Sequence, residues 1–406
     1  MKTATSSAVA AARTTSIYAL AGVSLAHLLN DAMQSAVPAV FPLLRQSLHL
    51  SFTQIGWIAF MLNVTACVLQ PFIGSYTDKR PIPLLLPAGM AFSLLGIVGM
   101  AYSSQFAGLL ISAMLLGIGS SVLHPESSRV AHLAAGKGSG MAQSVFQVGG
   151  NTGQALAPLA VGFLVMPYGA RGLMLFALAA IAGIAIQYAV SRWYKRQLTA
   201  PRAAKINRAA VAQPRGFVAM AITLLIVLLF SKFVYIASMT GYYAFYYMDR
   251  FQRPFEDAQI PLFVLQFAGM LGTLLGGPLA DKFGRKRIIW FSIAGTAPFS
   301  LLLPYAGPNW SVVLAGMIGA ILMSGFSVII VYAQELLPGK IGTVSGLFFG
   351  LAFGLAGLGS VTMGWLMDLT SISFVIKLCA YLPLLGLLAL LLPSDAKLAG
   401  NARESH

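Results

Sequence analysis

Twelve apolar stretches follow one another along this chain. They lie at roughly 17–41, 53–76, 82–102, 106–131, 139–165, 171–191, 217–247, 258–280, 287–304, 310–334, 342–366 and 371–392. A helix needs about 20 mainly apolar residues to cross a bilayer, and within lipid only helices and closed barrels satisfy every backbone polar group. Continuous runs of this length, without strict alternation, select the helix. Only 9% of the residues are Asp, Glu, Lys or Arg, against about 25% in a soluble domain, and the mean hydropathy is +0.80. The expected fold is therefore an all-α integral membrane protein with twelve transmembrane helices. The first window keeps Asp31 and lacks a small-residue cleavage site, so it is expected to remain as a span. Cys67 and Cys379 sit in apolar runs and suggest no disulfide framework.

Basic residues orient the spans. With the N-terminus in the cytoplasm, the inner segments hold Lys2, Arg13, Lys79, Arg80, Lys137, seven basic residues of the 192–216 linker, the Lys282 to Arg287 cluster, Lys340, Lys397 and Arg403. That is nineteen basic residues inside, whereas the outer loops hold four: Arg45, Arg171, Arg250 and Arg253. The positive-inside rule chooses this orientation, and an even number of spans returns the C-terminus to the cytoplasm. The net charge of +15 then matches anionic membrane lipid and calls for no nucleic-acid partner.

The two halves of the chain echo each other. Gly74, Asp78 and Lys79 after the second window recur as Gly277, Asp281 and Lys282 after the eighth, 203 positions on. Gly136 and Lys137 recur as Gly339 and Lys340 at the same offset. This shared spacing predicts a duplicated unit: a six-helix bundle over 1–191, a basic cytoplasmic linker over 192–216, and a second bundle with a short tail over 217–406. Proteins built from two such halves bind substrate between them near the midplane and expose it to one side at a time. The loop glycines allow close helix approach. Asp78 and Asp281, with Lys79, Lys282, Arg285, Arg287 and Glu335 beside them, are candidates for a latch that breaks as the halves move.

Ionisable groups inside the spans are the strongest functional signal. A charge at the bilayer centre costs at least about 2.5–3.5 kcal/mol, so each such group should face a bundle interior or an aqueous cavity. Asp31 lies near the middle of the first window and Lys232 near the middle of the seventh, two positions from the 203-residue offset. Asp31 is the leading proton-exchange candidate; a static Asp31–Lys232 brace is the alternative. The fourth window carries His124, Glu126 and Arg129 in GIGSSVLHPESSRVA (117–131). Glu126 and Arg129, three positions apart, share one helix face. Arg129 and His124 are candidates for attracting an anion, and Glu126 either exchanges a proton or holds Arg129. Asn30, Gln34, Asn63, Gln70, Gln147, Asn151 and Gln266 are secondary polar candidates, and the tyrosines around 235–243 either line a path or pack.

Bond-breaking chemistry has no support in this sequence. The glycine-rich GKGSG at 136–140 lacks the spacing and ending of a phosphate-binding loop. No metal-ligand spacing stands out, and no cofactor is expected. The twelve-window organisation and GGPLADKFGRKR at 276–287 resemble the major facilitator superfamily across almost the whole chain. The matching first-half loop, IGSYTDKRPIP at 73–83, keeps Gly74, Asp78 and Lys79 but lacks the later glycine and the basic ending. The glycine-rich fifth window with Pro158 is similar to the antiporter motif of drug exporters. SLAHLLNDAMQSAVPAVFPLL (24–44), the 117–131 segment and AQSVFQVGGNTG (142–153) resemble a group of bacterial antibiotic exporters within that superfamily. The resemblance implies proton-coupled antiport that exports a phosphonate antibiotic, and an anionic small-molecule substrate in turn implies charge recognition by Arg129 and Lys232 with help from His124. Two rivals remain at this point: a proton-coupled importer of an endogenous organic anion, and a nontransport receptor or scaffold.

Overall fold

The computed structural model describes residues 16–134, 139–198, 215–337 and 341–395, and all regular structure among them is helical. Lys137, Lys340, residues 199–214 of the expected linker, and Lys397 and Arg403 lie outside the described residues, as does the side chain of Asp78. Residues 192–198, the first part of the expected linker, continue the preceding helix.

The helical stretches among the described residues are α1 Ile17–Leu48, α2 Phe52–Lys79, α3 Leu85–Tyr102, α4 Phe106–Ala134, α5 Ser139–Ala160, α6 Met174–Leu198, α7 Arg215–Phe251 and α8 Phe255–Phe283. They continue with α9 Arg285–Tyr305, α10 Pro308–Leu336, α11 Ile341–Leu369 and α12 Ile372–Leu391. Ten helical runs among the described residues are long and apolar enough to cross a membrane. One of them, Val145–Leu198, holds 54 residues, which as a straight helix would reach about 80 Å, far beyond a hydrocarbon core of about 30 Å. It breaks between its two arms: Val161–Val165 widens to a π turn, Met166–Leu173 tightens to 3-10 geometry, and Gly169 takes φ 58°, a left-handed conformation natural to glycine. The ten do not include α1, a 32-residue helix whose apolar run carries His27, Asn30, Asp31 and Gln34.

Large side chains left exposed are overwhelmingly apolar, among them Phe163, Leu178, Trp310 and Leu391. Such a surface suits lipid. Polar groups turn inward instead: His27, Asn30, Asp31, Glu126, Gln187, Lys232 and Gln259 are all buried. Within the first six helices α1 packs along α5, α3 along α4 and α6, and α2 along α4. Within the last six, α8 packs along α10, α7 along α11, and α9 along α12. The two sets meet chiefly through α2 against α11 and α5 against α8.

The α2–α11 seam is close because glycine makes it so. A Cβ on Gly56 would sit 2.6 Å from the Ser360 carbonyl oxygen and 2.7 Å from the Val361 Cα. At the start of α2, Asp368 of α11 accepts from the backbone N–H groups of Phe52 (2.8 Å) and Thr53 (2.7 Å) and from the Thr53 hydroxyl (2.6 Å). Ser51 accepts from the Gln54 N–H at 3.1 Å and completes a capping box. The first N–H groups of α2, which no helical carbonyl reaches, are thus satisfied largely by a carboxylate from the other half. Tyr242 of α7 donates to the Ser360 carbonyl (2.6 Å), and Gln259 of α8 to the Ala39 carbonyl (3.4 Å).

Losing one helix cap costs about 1 kcal/mol. Asp368→Ala is accordingly expected to lower the melting temperature in detergent by a few degrees, read by intrinsic tryptophan fluorescence. Thr370→Ala should leave it unchanged, because that hydroxyl returns only to the Leu366 carbonyl of its own helix.

Candidate functional site

Three helices place one charged cluster in the first half. Along α1, His27 and Asp31 are four residues apart and so stack on one face. From α4 comes His124, and from α5 come Gln154 and the Phe146 carbonyl. Asp31 is 2% exposed and His27 fully buried. His27 Nε2 lies 3.3 Å from Asp31 Oδ2, His124 Nε2 lies 3.6 Å from Asp31 Oδ1, and the two Nε2 atoms lie 3.3 Å apart. Amide donors surround the carboxylate: Asn30 (3.2 Å) and Gln34 (3.4 Å) reach Oδ1, and Gln154 (2.8 Å) reaches Oδ2. Ser93 of α3 in turn donates to Asn30 at 3.0 Å and fixes its amide.

The backbone decides which histidine nitrogens carry hydrogen. His27 Nδ1 lies 2.8 Å from the Phe146 carbonyl and His124 Nδ1 lies 2.9 Å from the Ser120 carbonyl. A carbonyl only accepts, so both Nδ1 atoms are donors. In neutral rings both Nε2 atoms are then bare, and they converge on each other and on a carboxylate. The Ser120 hydroxyl also lies 3.1 Å from His124 Nδ1. Each imidazole can offer Nε2 to Asp31 as a proton donor when charged or as a bare ligand atom when neutral.

Close helix packing makes the cluster possible. Gly150 of α5 faces it, and a Cβ there would strike the His27 ring and come within 2.9 Å of Asp31 Oδ2. The His27 ring stacks on Phe146 with centroids 4.1 Å apart, which closes one side. His124 keeps 27% of its side chain exposed, against 3% for Asp31, so the cluster communicates with its surroundings through His124.

Glu126 and Arg129 point elsewhere. Two positions on a helix turn about 200°, so Glu126 faces away from His124 and away from Asp31. Arg129 donates to Glu126 at 2.9 Å and to the Thr77 carbonyl at 3.0 Å, with Tyr194 and the Gly74 carbonyl at 3.5 Å. The pair therefore clamps the carbonyl end of α2, where a cation complements the helix dipole, and Gly74, a latch candidate, enters as a carbonyl acceptor.

Lys232 is fully buried in α7 and donates to the Leu322 carbonyl of α10 at 2.5 Å, with its ammonium 5.7 Å from the Phe326 ring centre. α10 breaks at Ser324 and Gly325, and a break frees a carbonyl from its own ladder. Asp31 and Lys232 thus have separate partners, each within its own half, rather than bracing one another.

The second-half loop also makes its contacts locally. Arg285 pairs with Glu335 of α10, its backbone N–H donates to Asp395 at 2.7 Å, and Lys286 donates to the Leu390 carbonyl at 2.6 Å. Gly284 opens the turn with φ 91°. Lys79, Asp281, Lys282 and Arg287 are exposed, and Gly277 leaves open space where a Cβ would be. The contacts of Arg285 and Glu335 stay within the second half.

Sequence reasoning passed over His27 and Gln154 and ranked Asn30 and Gln34 as secondary. The spacing of His27 and Asp31 on one helix face was the available signal. Gln154 and the Phe146 carbonyl reach the site only through the α1–α5 packing, which no local pattern reveals.

Comparisons with known proteins agree with this architecture. The sequence model of the Major Facilitator Superfamily matches residues 23–360. Over 385 residues the chain is 49% identical to the fosmidomycin resistance protein of Escherichia coli (strain K12), covering 94% of each. It is 44% identical over 387 residues to an uncharacterized MFS-type transporter, YfnC, of Bacillus subtilis (strain 168), covering 95% of this chain and 94% of that one. The solved structure of the peptide transporter POT in complex with sulfate superposes with a TM-score of 0.76 over 98% of each chain at 15% identity, a likeness of fold alone. The inward-turned charges, the lipid-suited surface and the extent of these matches agree, and the chain belongs to the major facilitator superfamily of membrane transporters.

Proposed function

We propose that this protein is a proton-coupled antiporter that exports an anionic phosphonate of the fosmidomycin type across the bacterial inner membrane. In this reading twelve helices cross the membrane with both termini cytoplasmic. The six-helix bundles over 1–191 and 217–406, joined by the basic linker, rock about a path between them. The single observation that carries proton coupling is the convergence of two Nε2 atoms on Asp31, an arrangement in which a proton can be shared. The substrate class comes from the relative named for fosmidomycin resistance, and its charge suits guanidinium and ammonium donors.

Proton arrival at Asp31 removes the charge that orients both imidazoles, and proton loss restores it. His124, partly exposed beside the buried carboxylate, transmits that change to the path. A ligand shifts a conformational equilibrium only by its differential affinity for the two states. The substrate must therefore meet His124 differently before and after protonation. Arg129 and Lys232 are the remaining anion donors. Each is bonded to backbone carbonyls here, so substrate contact requires α2 to shift against α4, or α10 against α7. Glu126 stands second to Asp31 as a proton carrier because its close partner is Arg129.

Flux of labelled fosmidomycin in proteoliposomes tests the reading. Asp31→Asn should reduce pH-gradient-driven flux at least tenfold (about 1.4 kcal/mol of coupling) while leaving substrate exchange at equal pH. Glu126→Gln should keep the gradient response and instead lower thermal stability. A gradient response that survives in Asp31→Asn refutes the assignment, and uptake rather than extrusion in oriented vesicles would favour an importer.

Arg285 and Glu335 pair within the second half, and in this reading they hold its cytoplasmic end in shape during the motion rather than latching the two halves together. An exposed ion pair is worth at most about 1 kcal/mol of stability, so Glu335→Lys should barely move the melting temperature. Transport should nevertheless fall several-fold, and Arg285→Glu in the same chain should restore part of it.

A further inference from the structure

We infer that His27, Asp31 and His124 form a binding site for a divalent transition metal of the zinc class. The inference rests on ligand geometry and not on which substrate is exported. One donor atom from each residue can be chosen so that all lie within 4.8 Å of one another, and the closest approaches are 3.3, 3.3 and 3.6 Å. A tetrahedral zinc ion with arms of about 2.0–2.1 Å has edges of about 3.3–3.4 Å. The two histidine distances reach different Asp31 oxygens, so with a single carboxylate oxygen the three donor atoms stand within 4.8 Å and must draw in towards that edge length, by rotation of the carboxylate, as the ion binds. Two imidazoles and a carboxylate make up a common zinc ligand set, with the fourth position left for water.

The surroundings are those a metal site requires. A metal-bound imidazole places its other N–H on a carbonyl or carboxylate, which fixes the tautomer and aims the ring. His27 and His124 both do this, through the Phe146 and Ser120 carbonyls. Metal-ligating carboxylates are likewise held by hydrogen bonds, and Asn30, Gln34 and Gln154 hold Asp31. The site is enclosed by Phe146 and the bare backbone at Gly150, and the partly exposed His124 gives an entry. Imidazole and carboxylate suit zinc, cobalt and nickel better than calcium or magnesium, which prefer all-oxygen sites. A bound metal takes the place of the proton, so the same ion acts as an inhibitor of proton exchange.

Zinc titration of the full chain, purified without a polyhistidine tag and read by competition with a chromophoric chelator, tests the inference. One saturable equivalent is expected. His27→Gln, His124→Gln and Asp31→Asn should each weaken it by about 100-fold. A control lacking the exposed His49 and His132 should bind as the unaltered protein does. Binding without saturation, or binding that persists in both His27→Gln and His124→Gln, overturns the site. Cobalt absorption of the unaltered protein gives a readout independent of whether any variant folds. Intense visible bands of a tetrahedral ion are expected, and only the weak bands of an octahedral surface ion would refute it. Because these are binding measurements, they stand or fall separately from the fosmidomycin flux.

Discussion

A carboxylate 2% exposed between three helices sets the terms for the first half of this transporter. Inside a low-dielectric bundle an unpaired charge is costly, and truncating its surroundings leaves that cost uncompensated. Asp31 is compensated by five side chains from α1, α4 and α5. Those helices must therefore stand close, and Gly150 is where the closeness is visible. The two Nε2 atoms of the cluster face the same carboxylate, a geometry in which the proposed proton or metal ion would be shared. A site whose integrity varies with proton occupancy is suited to coupling.

α4 links this cluster to the end of α2. His124 reaches Asp31 on one side, and Glu126 with Arg129 grips the carbonyl end of α2 on the other. The charges that look crowded in sequence are divided between two tasks by the helical turn. A small rotation of α4 would alter both contacts together, and packed interfaces tend to shift between discrete arrangements rather than deform smoothly. At the start of α2, Asp368 provides a cap from α11. One helix is therefore held at its start by the far half and at its end by its own half, the placement expected of an element that transmits relative motion.

Much of the fold was legible in the sequence because lipid imposes a simple rule on length and polarity. The windows at 82–102 and 106–131 correspond to Leu85–Tyr102 and Phe106–Ala134, within a few residues. Trp193 and Tyr194 carry α6 through a basic stretch to Leu198, with Tyr194 fully buried against α4. Asp31 was conspicuous as a lone acid in an apolar run. His27 was not, since one histidine on an apolar helix reads as packing until its neighbour across space is known. Asp368 drew no notice in the sequence, because its role depends on where α2 begins in three dimensions.

The two halves carry their central charges differently, and the difference has mechanical content. Asp31 is held by side chains, three amides and two imidazoles, of which the imidazoles are able to gain or lose a proton. Lys232 is held by a carbonyl exposed at a break in α10, so releasing it requires that break to rearrange. A backbone carbonyl has no protonation state to exchange at neutral pH, and among the described residues Lys232 makes no ion pair with a carboxylate. In the proposed mechanism the proton is therefore assigned to the first half, while Lys232 ties α7 to the break in α10. Fold alone does not dictate such a division; it follows from placing an acid and a base at nearly equivalent positions of a duplicated unit and supplying each with a different kind of partner.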